Sequence, residues 1–188
     1  TWAVLGGRSL DREALTIRDQ LAAGDLAAAR RQVRNLVGRD PSALSPDEVA
    51  RATVESVAEN GADALVAPLF WGAVAGVPGL LSYRAINTLD AMIGHRSPRY
   101  REFGWAAARL DDLANWLPAR LTVLSTAIAT GSTSGARRVL TVVARDAPAH
   151  PSPNAGPVEA AFAAARWADR TPMTVWSRTA DAWATGPR

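Results

Sequence analysis

From Ala64 to Tyr83 the chain runs for 20 residues without a charge, bounded by Asp63 and Arg84. No other feature restricts the fold as much. At about 1.5 Å per residue such a segment is long enough to cross a bilayer as a helix. Pro68, Gly72, Gly76, Pro78 and Gly79 interrupt it, so a straight rod is not expected. The open readings are a kinked or re-entrant membrane helix and a pair of short buried helices. The chain nowhere shows the alternation of apolar and polar residues that a sheet requires. The expected class is therefore all-α: a helical bundle with kinked or re-entrant apolar helices and polar loops.

The other helices follow from local signals. Leu10 to Ala23 predicts a helix that breaks at Gly24, and Asp25 is a natural N-cap for a second one, which Gly38 can close. On that second helix Arg30, Arg31 and Arg34 form a basic face, read as solvated rather than as a phosphate or lipid contact. Ser45-Pro46-Asp47-Glu48 has the spacing of a capping box with Pro at the first helical position, opening a helix to Asn60 or Gly61. Ala64 to about Asp90 is helical with breaks, and Gly94 to Pro98 is a polar loop. A helix then runs from about Arg101 to Trp116, kinked or ended by Pro118, followed by a short apolar helix over Leu121 to Thr130. Gly131 to Gly135 reads as a link, Gly135 to Asp146 as a helix, His150 to Gly156 as a stiff Pro-containing loop, and Pro157 to Ala168 as the last helix.

Composition removes several chemistries. All 21 basic residues are Arg, which excludes a Lys-dependent phosphate loop and Schiff-base catalysis. With no Cys there are no disulfides, thiolate nucleophiles or Cys-bound zinc sites, and only His95 and His150 supply imidazole. Apolar residues make up 48%, ordinary for a globular protein, and the net charge is +3. Thr1 is not a natural start, so the chain reads as a fragment.

What remains is a concentration of polar side chains in apolar helical sequence between Tyr83 and Arg120. Buried polar groups cost free energy unless each finds a partner. Glu55, Glu59 and Asp63 fall at i, i+4 and i+8 and share one face if the helix persists. Such hard oxygen donors suit Mg²⁺, while a solvated acidic face is the plainer reading. Tyr83, Asn87 and Asp90 form a second stripe, next to Arg84 and directly after the uncharged segment. Its functional reading competes with a helix end emerging into water. Arg109, Asp112, Asn115 or Trp116, and Arg120 line a third face, and Asp111 is spaced to meet Asn115. An intrahelical Arg109–Asp112 pair explains only part of that stripe. Finally, His150, Ser152 and Asn154 precede a helix start, suited to an anion or simply to capping.

Four segments together resemble the adenosylcobinamide-phosphate synthase (cobinamide synthase) family of cobalamin biosynthesis. They are VGRDPSALS at 37–45, VESVAENGADALVAPLFWGAVAGVPG at 54–79, YRAINTLDAMIGHRSPRYREFGWAAARLDDLANWLPARL at 83–121 and RDAPAHPSPNAGPVEAAFAAA at 145–165. They lie in the family's order and define residues 1–165 as a synthase-like helical domain; 166–188 form a divergent tail that lacks the family's glycine-rich continuation. The resemblance implies a multi-span protein of the cell membrane that joins adenosylcobyric acid to aminopropanol or its phosphate as an amide, consuming ATP with Mg²⁺. Glu59 and Asp63, or Asp90 and Asp112, would hold Mg²⁺. Arg109 and Arg120 would stabilise phosphate charge, and Asp111 would take the amine proton. Tyr83, Asn87 and Asn115 would orient the substrate, and His150, Ser152 and Asn154 would hold a phosphate or carboxylate. Partners implied are the corrinoid, the amine and the lipid bilayer, with self-association open and no role for nucleic acid. A non-catalytic membrane component that binds the corrinoid or organises the pathway is the alternative.

Overall fold

The computed structural model describes residues 7–38, 40–94 and 103–166, and all regular structure among them is helical. Helix α1 (Gly7–Ala22) turns through Gly24, at φ +77°, into α2 (Leu26–Val33). The Asp25 carboxylate accepts from the Ala28 N–H at 2.8 Å, capping α2. The expected basic face of α2 is partly engaged: Arg30 Nε donates to the Leu44 carbonyl at 2.8 Å, and Arg34 pairs with Asp40 at 3.5 Å. Helix α3 (Pro46–Gly61) opens on the anticipated capping box. The Ser45 N–H donates to Glu48 Oε2 at 2.7 Å, and the Glu48 N–H to Ser45 Oγ at 3.3 Å. Ile17, Ala29, Val33, Val49 and Ala52 close the core of these three helices.

Helix α3 reaches Gly61 as expected, but the chain does not leave helical geometry there. That glycine keeps helical angles (φ −66°, ψ −41°), and the chain continues through a π-helical turn (Ala62–Val66) into α4 (Ala67–Leu89). Gly is needed at a helix end only where φ turns positive. That happens instead at Gly76, at φ +64°, beside Ala75 at φ −132°. There the chain reverses. A Cβ on Gly79 would lie 2.5 Å from the Trp71 carbonyl oxygen, and one on Gly72 would lie 3.5 Å from Leu80. Residues eight apart in a straight helix are separated by about 12 Å. The run Pro46–Gly94 is long and apolar enough to cross a membrane by length and composition, yet its apolar part is a hairpin with arms 67–74 and 77–89. A second π-helical turn (Asp90–Gly94) ends it. The expected polar loop over 95–98 lies outside the described residues.

Pro118 neither ends nor divides the next helix, and the separate helix expected over Leu121 to Thr130 is its continuation: α5 runs from Phe103 to Ala129. A mid-helix Pro leaves the carbonyl four residues earlier without its N–H partner. That carbonyl belongs to Ala114, and it accepts from Trp71 Nε1 at 3.0 Å. Gly131, at φ +68°, and Ser132, whose hydroxyl accepts from the Gly135 N–H at 3.0 Å, start α6 (Thr133–Asp146) two residues ahead of expectation. A 3₁₀ turn (Ala147–Ala149) and the His150 loop lead to α7 (Ala155–Arg166), which likewise begins two residues early. Val123, Ala127, Val139, Ala161 and Ala164 pack α5, α6 and α7 together. Where α3, α5 and α7 meet, the buried residues are Ala58, Ala62, Ala119 and Val158. Small side chains at a crossing let helix axes approach closely. This crossing brings polar groups from all three helices within reach of one another.

Candidate functional site

A small open cleft lies at that crossing, lined on its polar side by Glu59, Asp63, Asp111, Asp112, Asn115, Ser152 and Asn154. Because the hairpin doubles back, Asn87 returns beside Asp63, 24 residues earlier. Asn87 Nδ2 donates to Asp63 Oδ2 and to Asp111 Oδ1, both at 3.3 Å. Asn115 Nδ2 donates to Asp111 Oδ2 at 2.9 Å, and the buried Tyr83 hydroxyl donates to Asn115 Oδ1 at 2.9 Å. Arg84 Nη1 donates to the Asn87 amide oxygen at 3.5 Å. Each amide therefore turns its N–H groups towards carboxylates and its oxygen towards a donor. One network fixes both carboxylates.

The acids crowd one another. Burial is the main reason the Asp63 carboxyl is pushed up to about 7, reinforced by the charges of Asp111 and Glu59 and opposed by the Asn87 hydrogen bond. Burial likewise raises Asp111, against the hydrogen bonds from Asn115 and Asn87. Glu59, open to the cleft on one side, is raised by desolvation and by Asp111 and Asp90. Asp112 is raised by burial and held back by Arg109.

The remaining predicted residues sit around this centre. Asp90 faces Glu59 and Asp63 electrostatically from the hairpin's end. Arg109 is exposed, 3.7 Å from Asp112 and over the Trp105 ring at 5.9 Å, which is the intrahelical pair the spacing suggested. Arg120 stacks on Trp116 at 4.7 Å and donates to Asn154 Oδ1 at 2.8 Å. Asn154 Nδ2 in turn donates to the Asp112 carbonyl at 2.7 Å, tying the loop to α5. Ser152 Oγ accepts from the N–H groups of Asn154 (3.3 Å) and Ala155 (3.1 Å), so it caps α7. His150 Nδ1 accepts from the Ser152 N–H at 3.0 Å, and burial lowers the pKa of its imidazole. His95 and residues 167–188 lie outside the described residues.

One acid was missed by sequence reasoning. Glu159 on α7 is buried, at 6% exposure, and its carboxyl is pushed up to about 9 by desolvation and by the charges of Glu55 and Glu59. Its signal was a lone acid in a run of Val and Ala with no polar face to occupy.

The donor set of the cleft is carboxylate, amide and hydroxyl oxygen, the chemistry of a hard cation. Among the described residues no three His, Cys, Asp or Glu converge as a ready-made metal cage. Mg²⁺ needs none, because it usually takes one or two carboxylates and completes its shell with water and substrate phosphates. Crowded acids at the cleft and guanidinium groups of Arg109 and Arg120 at its rim suit a cation-bound phosphate.

Comparison with known proteins gives a consistent picture. A family model described as CobD/Cbib protein matches residues 1–168. "Cobalamin biosynthesis protein CobD" of Rhodobacter capsulatus is 56% identical over 164 residues, covering 87% of this chain and 51% of that protein. Its namesake in Mycobacterium tuberculosis is 57% identical over 169 residues, 88% and 53% of the two chains. The chain thus spans about half the length of the curated relatives it matches. No solved structure matches it significantly.

Proposed function

The chain belongs to the CobD/Cbib protein family, and on that premise we propose that it works in cobalamin biosynthesis as part of a membrane-embedded, amide-forming ligase. The substrates are adenosylcobyric acid and aminopropanol or its phosphate. The observation that carries the chemistry is the meeting of Glu59, Asp63, Asp111 and Asp112 in one oxygen-lined cleft beside two rim guanidiniums.

A carboxylate is a poor acylating agent because its oxygen does not leave. Bound Mg-ATP supplies the activation, converting that oxygen into a phosphate leaving group. Asp63 and Glu59 would hold the cation, and Asp112 and Asp90 would share its charge. Arg120, fixed between Trp116 and Asn154, presents its guanidinium towards the transferring phosphoryl, and Arg109 adds charge at the rim. Asp111 accepts a proton from the attacking amine. Its raised pKa makes it a better base than a solvated carboxylate. Asn87, Asn115 and Tyr83 keep it aimed.

The test is mass spectrometry of a reaction containing the full-length parent protein, adenosylcobyric acid, the amine and Mg-ATP. An amide product that requires ATP is expected, and Asp111→Asn should lower turnover by about 10²-fold or more while corrinoid binding persists. Tight corrinoid binding with no product under any condition would replace the ligase with a binding subunit.

A further inference from the structure

We infer that residues 64–83 enter and leave the lipid bilayer on the same side, as a re-entrant hairpin whose two roots carry the acidic cleft. This rests on the membrane reading above and adds its topology. A straight helix would place Asn87 about 36 Å from Asp63, yet their side chains meet at 3.3 Å. Ala67 on the first arm and Tyr83 on the second share one buried cluster with Ala114. From Asp63 to the reversal at Gly76 is 13 residues, about 20 Å of helix, against a hydrocarbon core of about 30 Å. The hairpin can reach well into that core but cannot cross it.

Its surface fits hydrocarbon and little else. It has no charge between its roots, and it leaves Leu69, Val74, Val77 and Leu81 exposed at 52–69%. Monomeric proteins in water rarely leave so continuous an apolar surface uncovered. Charged residues begin only at the roots, with Asp63 and then Glu59 on one side, Arg84 and then Asp90 on the other. Backbone groups are costly at apolar depth unless paired. The reversal limits that cost, because the non-helical backbone is confined to Ala75 and Gly76, and Pro78 in the first turn beyond brings no N–H. Gly79 lets that turn pack against the Trp71 carbonyl.

Residues 1–188 hold no Cys, so single cysteines placed in them can report the topology in the native membrane once any cysteine elsewhere in the full-length protein has been replaced. Asn60→Cys and Met92→Cys probe the two roots, and Val77→Cys probes the tip. A membrane-impermeant maleimide is applied to spheroplasts and to inverted vesicles. Both root positions should label from one and the same side. The tip should resist from both sides and label only after the membrane is dissolved in denaturing detergent, because a thiol held in hydrocarbon does not ionise. Roots labelled from opposite sides would make the segment a span and overturn the proposal while leaving the ligase reading intact. A tip open to the impermeant reagent, or one that forms disulfide-linked dimers, would place water or a second copy where lipid is proposed. Recovery of the active protein without any membrane association would overturn the bilayer itself, again separately from turnover.

Discussion

Glu159 gives the sharpest quantitative test. In the fold its carboxyl is pushed up to about 9, against an ordinary value of 4.5. Between those two values the folded chain holds a proton that the unfolded chain has released. Linkage then requires stability to fall as pH rises, by about 1.4 kcal/mol per pH unit for one such group. The contribution is fully present below the unfolded value and is lost as pH climbs through the folded one. From about pH 5.5 to about pH 7.5 the loss is roughly 3 kcal/mol, or on the order of 6–12 °C in melting temperature for a chain of this size. Glu159→Gln keeps the volume and cannot ionise. Melting followed by circular dichroism in detergent should show the native protein losing stability across this range much faster than the variant. The variant should be the more stable of the two by roughly 4 kcal/mol near pH 7.5, about three pH units above the unfolded value. Infrared difference spectra should show a protonated carboxyl band in the native protein at neutral pH and its loss in the variant. If both proteins melt in parallel at every pH and the band is absent, Glu159 is ionised in the fold and the reasoning from burial is wrong.

Two further outcomes follow from the hydrogen-bonding and charge pattern. Trp71→Phe removes the donor to the Ala114 carbonyl and should cost about 1–3 kcal/mol. Adding Pro118→Ala restores an N–H to that carbonyl and should recover part of the loss, so strict additivity in denaturant melts of the four proteins would refute the link. Mg²⁺ should raise the melting temperature most above about pH 7, where Asp63 is ionised, and progressively less as the pH falls and that carboxyl protonates. Asp63→Asn should remove that pH dependence, and a Mg²⁺ response unaffected by the substitution would place the cation elsewhere.

Signals confined to a few residues could be read directly from the sequence. Ser45 and Glu48 satisfy each other within one turn, and Asp25 caps its own helix. Features set by distant partners could not. Pro118 looks like a terminator until Trp71, 43 positions before Ala114, supplies the missing donor. The glycines and prolines of 64–83 announced breaks, but that the chain reverses at Gly76 depends on the close packing of Gly79 on Trp71. In the candidate site, the stripes holding Asp63, Asn87, Asp111 and Asn115 were visible as separate helical faces. Their junction through shared amides was not, because it needs the hairpin to bring residues 24 apart into contact. Glu159 escaped because a single acid among Ala and Val carries no periodicity.

The π-helical turn at Ala62–Val66 makes this site a matter of counting. Each residue of an α-helix advances the chain by about 100° around the axis, and a wider turn inserts an extra step of phase between α3 and the hairpin. Deleting any one residue there would leave the composition almost unchanged and could let the helix run on unbroken. Both arms would nevertheless swing by about 100° relative to Glu59, carrying Asn87 away from Asp111. Side-chain substitutions within the turn should be borne far better than the loss of one residue, since the turn acts as a phase setter between the two halves of the cleft.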